Sequence, residues 1–170
     1  RARAAAAARG VAGRISFHAG DYMAFQDGPF DLILADTVLH AIPAPTGDLF
    51  AKLFFFIAPG SIVIYTMPSS CGYNRALAGF RRVLRWLQHP VTDRLILVVA
   101  RLLHGRAWDS ESLRERIPYM YLVPARYDGP ALHALLSDTF AMDLVERVPL
   151  PHASPAQMTH TLAVFRKRPA

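Results

Sequence analysis

The chain has 170 residues, 52% of them hydrophobic and 19% charged, with a net charge of +6. That composition describes one domain with a real core and excludes a disordered chain, and no apolar run reaches the ~18–20 uncharged residues a membrane span needs. Cys71 is the only cysteine, which excludes an internal disulfide and a multi-cysteine zinc site and makes a cytoplasmic location the default expectation.

In chain order, RARAAAAAR at 1–9 has the strongest helix propensity, and Gly10 ends it. Ile15-Ser-Phe17-His alternates and reads as a strand, left through Ala19-Gly20-Asp21. After the loop Gln26-Asp-Gly-Pro29, the run Leu32-Ile-Leu-Ala35 is apolar on both faces, the pattern of a buried parallel strand. Thr37 to Ile42 is a short helical piece stopped by Pro43 and Pro45. Thr46 or Asp48 can cap the next helix, with Leu49, Phe50, Leu53, Phe54 and Ile57 on one face. Pro59-Gly60 is the turn into a second buried strand, Ser61 to Thr66. Alternating helix and strand with short connections is the rhythm of an α/β fold with a parallel sheet.

From 70 to 126 that rhythm stops. Tyr73, Leu77, Phe80, Leu84 and Leu87 recur at helical spacing, with Arg75, Arg81, Arg82 and Arg85 off the stripe. His89-Pro90 breaks this helix. A second starts at Thr92 or Asp93 and runs to Leu103, stopping at Gly105; a third is capped by Asp109-Ser110 and ends before Ile117-Pro118. So long a helical insertion within one domain suits a lid or a binding part. The two-layer rhythm returns with a helix from Pro130 to Phe140, a strand from Ala141 to Pro149, a Pro-rich loop from Leu150 to Gln157, and a last strand from Thr159 to Phe165.

Taken in order, these pieces resemble the later half of a class I S-adenosylmethionine (SAM)-dependent methyltransferase. Ile15 to Met23, ISFHAGDYM, resembles the family's third strand and its Gly-Asp turn. Phe30 to Ile42, FDLILADTVLHAI, resembles the fourth strand and the start of its helix. Leu53 to Tyr65, with Ala58-Pro-Gly60, resembles the approach to the fifth strand, although Ser61 replaces the usual second Gly. The resemblance covers the chain outside the insertion. It implies a Rossmann-like doubly wound α/β sheet, mostly parallel with an antiparallel C-terminal strand, and the helical insertion after the fifth family strand.

The resemblance also implies roles. Asp21 would accept from the adenine amine of SAM, and Tyr22 would lie near the ring. Ala35 and Asp36 would meet the methionine part. Asp36 and His40 are the candidate catalytic groups, although Asp36 also suits a helix N-cap and His40 a packing role. Tyr65, Met67 and Tyr73 lie where the acceptor belongs, and Tyr119, Tyr121 and Tyr127 close the insertion. Aromatic walls suit a small hydrophobic or aromatic acceptor.

One departure is large. The family's first strand carries an acidic residue and a G-x-G-x-G loop, and no such loop occurs in these 170 residues. The family strand order is 3-2-1-4-5-7-6, so the Ile15 strand lacks its neighbours: it either shifts to pair with the Leu32 strand or belongs to a longer polypeptide. The chain begins at Arg1, and we read it as an N-terminally truncated single domain, 1–170, incomplete and inactive alone.

Other features read more plainly. Cys71 beside Gly72 is incidental, with no base paired to it. The histidines at 18, 89, 104, 133, 152 and 160 show no metal spacing, and no metal is expected. The basic excess is Arg, since Lys occurs only at 52 and 167. It carries the coding bias toward Arg and Ala, or a surface for anions. A nucleic-acid partner is not expected. The alternative to an enzyme is a degenerate methyltransferase-fold module whose basic, apolar helices meet a protein partner or an anionic membrane surface.

Overall fold

The computed structural model describes residues 2–104, 108–150 and 157–169. Helix α1 (Ala2–Ala8) is the alanine run, and Gly10 closes it at φ +67°, a left-handed conformation that glycine adopts freely. Ile15 to His18 forms no strand. The segment has no ladder partner, and a strand without one has nowhere to place its backbone groups. Short 3₁₀ turns occupy Ala12–Arg14 and Tyr22–Ala24, the second capped by Asp21, whose carboxylate accepts from the Met23 amide at 2.9 Å.

Four strands form one open sheet: β1 (Phe30–Asp36), β2 (Ile57–Pro68), β3 (Met142–Leu150) and β4 (His160–Lys167). The order is β1-β2-β4-β3, with β1 parallel to β2 and β4 antiparallel to both its neighbours. This is the 4-5-7-6 portion of the expected sheet. Helix α2 (Thr46–Phe55) joins β1 to β2, and α6 (Pro130–Phe140) precedes β3 with Pro130 in its first turn.

Several expected boundaries move. Neither Thr46 nor Asp48 caps α2; Pro45 holds the N-cap position, and Asp48 lies in the first turn, where its charge suits the helix dipole. Pro59-Gly60 is not a turn outside the strand but lies within β2. There β2 advances five residues (57 to 62) while β1 advances two (30 to 32), and Gly60 takes the bulge at φ +80°.

The core lies on one side of the sheet. Val63, Tyr65 and Met67 of β2 and Ala163 and Phe165 of β4 pack under Leu49, Phe50 and Leu53 of α2 and Leu132 and Leu136 of α6. Tyr65 stacks on Phe165 at 5.8 Å and meets Phe50 edge-on at 6.4 Å. The opposite side is less covered: Ile62 and Ile64 of β2 and Leu162 and Val164 of β4 are half-buried there, and the edge strand β1 is the most exposed. Leu32 and Leu34 of β1 are 56% and 67% exposed, so β1 is not buried on both faces as its composition suggested. A continuous apolar run records what both faces would accept, not what covers them.

The insertion comprises α3 (Gly72–Trp86), α4 (Pro90–His104) and α5 (Ser110–Met120). Helix α4 begins at Pro90 rather than at Thr92, using proline's fit to a first turn. Asp109 caps α5 as expected, accepting from the Ser112 amide at 2.7 Å, but α5 continues through Pro118. The stripe of α3 is only partly its packing face: Leu77 and Leu84 are half-buried. The helix buries Asn74 and Ala78 and turns Tyr73, Phe80 and Leu87 outward. Gly105, His152 and most of the expected Pro-rich loop lie outside the described residues. Among the described residues no helix is long and apolar enough to cross a membrane.

Candidate functional site

The carboxyl ends of β1 and β2 gather the chain's polar chemistry. Asp36 ends β1, exposed, and its carboxylate accepts from the Thr66 hydroxyl of β2 at 2.5 Å; that hydroxyl accepts in turn from the Thr37 amide at 2.7 Å. Thr37 sits at φ +51°. A β-branched residue there is strained by about 1–3 kcal/mol, and Thr66 is what holds it. Asp36 therefore does not cap the next segment. That segment is a single 3₁₀ turn, Leu39–Ala41, with Val38 in the cap position.

His40 lies in this turn and is buried. Its ring meets that of His160, at the start of β4, edge-on at 6.1 Å. The antiparallel register pairs His160 with Pro68, which carries it to the end of β2. Burial first, then the charges of His160, Arg81 and Arg126, lowers the His40 pKa to about 4. Burial lowers His160 as well, and the nearby Arg81 adds to that, while its bond to Met158 and the charge of Asp36 oppose it. Neutral His160 donates from Nδ1 to the Met158 carbonyl at 2.9 Å, which leaves the lone pair on Nε2. His40 Nδ1 is buried with no hydrogen-bond partner among the described residues.

Arg126 fixes His40 in place. Its buried guanidinium donates to the carbonyls of Leu39, Ile42 (3.1 Å) and Ala44, and the Ala125 amide donates to the His40 carbonyl at 2.9 Å. Two residues further on, Asp128 is fully buried. It accepts from Tyr65 Oη (2.9 Å), His133 Nε2 (2.7 Å) and Arg147 Nε (3.0 Å), joining the end of the insertion to β2, α6 and β3.

The expected site residues divide accordingly. Asp36 and His40 lie together at the strand ends, with Ala35 buried beneath them. Tyr65 and Met67 are fully buried on the core side; burial and then Asp128 raise the Tyr65 phenol. The Tyr73 hydroxyl donates to the Gln157 carbonyl at 3.2 Å, and Tyr119 is exposed on α5. Tyr121 is buried and donates to Asp93 of α4, with burial and then that carboxylate pushing its phenol up to about 12. Tyr127 is half-buried and close enough to Arg81 to act on its charge.

Asp21 and Tyr22 lie toward the other end of the β1 edge. Tyr22 lines a shallow apolar groove of about 240 Å³ with Phe25, Phe30, Ile33 and Leu34. Lys52 of α2 ties this loop down, donating to the carbonyls of Met23 (2.5 Å) and Phe25 (2.8 Å). Sequence reasoning missed Thr66, Arg126, Asp128 and His160 as parts of the site. The placement of the last strand beside the fifth family strand was the one signal that pointed to His160. Among the described residues no group of three or more His, Cys, Asp or Glu is placed to hold a metal ion.

This architecture is shared with solved structures. The N-methyltransferase NodS from Bradyrhizobium japonicum WM9 matches 98% of this chain with 68% of its own, at 19% identity and a TM-score of 0.50. A possible exported protein from Bordetella parapertussis matches 99% of this chain with 49% of its own, at 15% identity and a TM-score of 0.53. No family model and no curated protein matches the chain. The fold is that of a class I methyltransferase.

Proposed function

We propose that the side-chain cluster at the ends of β1, β2 and β4 takes part in methyl transfer from SAM to a small apolar or aromatic acceptor. The observation that carries this reading is a pair of histidines, His40 and His160, depressed below their ordinary pKa beside the carboxylate of Asp36. Open α/β sheets place ligands at this end. SAM, when bound, supplies an electrophilic methyl group, and the transfer depends on positioning. A base is useful when the acceptor is a hydroxyl or a protonated amine. His160 suits that task because its Nδ1–H is committed to Met158, which leaves Nε2 to take a proton. His40 packs against it, and Arg126 keeps that arrangement rigid.

The residues present fit one side of the cofactor. Asp36 is an exposed carboxylate at the strand ends, with one oxygen already bonded inside the chain and the other open to an ammonium; Asp21 and Tyr22, toward the other end of the β1 edge, lie apart from it. No glycine-rich cradle occurs in these 170 residues. The chain therefore supplies one wall of the site, and we propose that a polypeptide extending beyond Arg1 supplies the other.

The test is calorimetric titration with S-adenosylhomocysteine. The 170-residue chain should give no measurable heat. The same chain carried back to an initiating Met in its reading frame should bind at micromolar concentration, and Asp36→Asn should weaken that binding. His160→Gln should lower kcat on the order of 100-fold and leave cofactor binding intact. If the longer polypeptide does not bind, the enzymatic reading fails.

A further inference from the structure

Helix α4 packs through Leu97, which is buried, with Ile96 and Ala100 half-buried beside it, and is bound to α5 through Asp93 and Tyr121. Its other stripe is Val91, Leu95, Val98 and Leu102, at i, i+4, i+7 and i+11, and all four are exposed, Leu102 at 82%. At 100° per residue these fall within about 60° of one another, with Arg94 and Arg101 directly beside them. Helix α3 repeats the arrangement. Phe80, Val83 and Leu87 share one exposed face, Arg75 and Arg82 lie on the flank, and Trp86 is 84% exposed.

Exposed apolar stripes of this size mark a contact surface, and the charges identify the partner. From residue 70 to 104 the chain carries five exposed arginines (75, 82, 85, 94 and 101), a sixth, Arg81, turned inward to the Leu122 carbonyl, and one carboxylate, Asp93. That carboxylate is engaged by Tyr121, inside the α4–α5 contact. The two outward faces are thus apolar with a purely basic margin. Helices with an apolar face, flanking arginines and an exposed tryptophan lie in the plane of a membrane interface, the apolar side chains in the acyl boundary and the guanidinium groups at the phosphates.

We infer that α3 and α4 dock this protein onto an anionic lipid surface. The inference stands apart from cofactor binding, because none of the exposed docking residues belongs to the strand-end cluster.

The experiment is co-sedimentation of the full chain with vesicles of phosphatidylcholine alone and of phosphatidylcholine with about 30 mol% phosphatidylserine. The chain should pellet with the anionic vesicles and remain in solution with the neutral ones. Raising salt should weaken binding, since exposed charges are screened. Leu95→Glu with Val98→Glu should lower the bound fraction at least tenfold, and Arg94→Gln should lower the partition coefficient about fivefold. Both changes are at exposed positions, so the fold should survive, as circular dichroism would check. Val145→Glu, exposed on β3 away from the helices, should bind as the parent does. Failure to pellet with anionic vesicles overturns the inference, and so does equal binding to neutral ones. A loss with Val145→Glu as large as with the α4 pair also overturns it. A dimer in sedimentation velocity that the α4 pair dissociates, without vesicle binding, would assign the face to a second copy instead.

Discussion

The two faces of the sheet are made of similar residues and meet different fates. On one face Val63, Tyr65, Met67, Ala163 and Phe165 are buried beneath α2 and α6; on the other Leu32 and Leu34 stand mostly in solvent. Hydrophobicity alone does not separate them. What separates them is connection: α2 and α6 are the short crossovers that enter and leave these strands, and both fall on one side. The covered face carries the stability, and polar groups gather at its upper rim.

The largest effect should come from the covered face. Phe165→Ala removes a ring packed against Tyr65 and His133, and should cost about 3–5 kcal/mol of unfolding free energy in urea titration. Asp128→Ala should follow at about 2–4 kcal/mol, because it strands the buried Tyr65 hydroxyl and deprives His133 and Arg147 of their acceptor. The exposure of Arg147 moderates that loss, since its charge can rehydrate. If Asp128→Ala cost less than 1 kcal/mol, the network would not be what ties the insertion to the sheet.

The covered half was legible in the sequence and the remainder was not, for identifiable reasons. The α6 helix and β3 and β4 fall where periodicity and Pro130 put them, and α2 follows from Leu49, Phe50 and Leu53 at helical spacing. Ile15 to His18 has the alternation of a strand, but alternation supplies no partner. The α3 stripe has the spacing of a core face, but spacing does not say which face the chain turns inward. Asn74 decided that, because its side chain reaches the Ser69 and Thr159 carbonyls at 2.8 Å and so draws the polar side of α3 onto the sheet end. At the candidate site, Asp36 and His40 are near in sequence and could be named. His160 and Arg126 arrive from distant segments, and only the strand order brings them in.

Acid should expose the rim. His40 titrates near pH 4 when folded, against 6.5 unfolded. Above pH 6.5 it is neutral in both states and the full stability is present. Between 6.5 and 4 the unfolded chain binds a proton that the folded chain refuses, so stability falls with pH; below 4 the loss is complete, on the order of 3 kcal/mol. His160, also depressed, acts in the same direction. His160, Arg81 and Arg126 face His40 and hold it down, whereas Asp36 partly relieves His160. His40→Gln should flatten the stability profile between pH 5 and 6.5. An unchanged slope would show that His40 is solvated and not part of a closed rim.

The smallest expected effect bears most directly on the open face. Leu34→Thr keeps a strand-favouring residue in β1 and removes an apolar side chain that is 67% exposed. A side chain already in water loses little by becoming polar, so the urea midpoint should move by no more than about 0.5 kcal/mol equivalent. The same substitution beneath α2 would cost several times that. A loss above about 1.5 kcal/mol at Leu34 would mean that something shields it in solution, and the two faces would then differ in which element covers them rather than in whether they are covered.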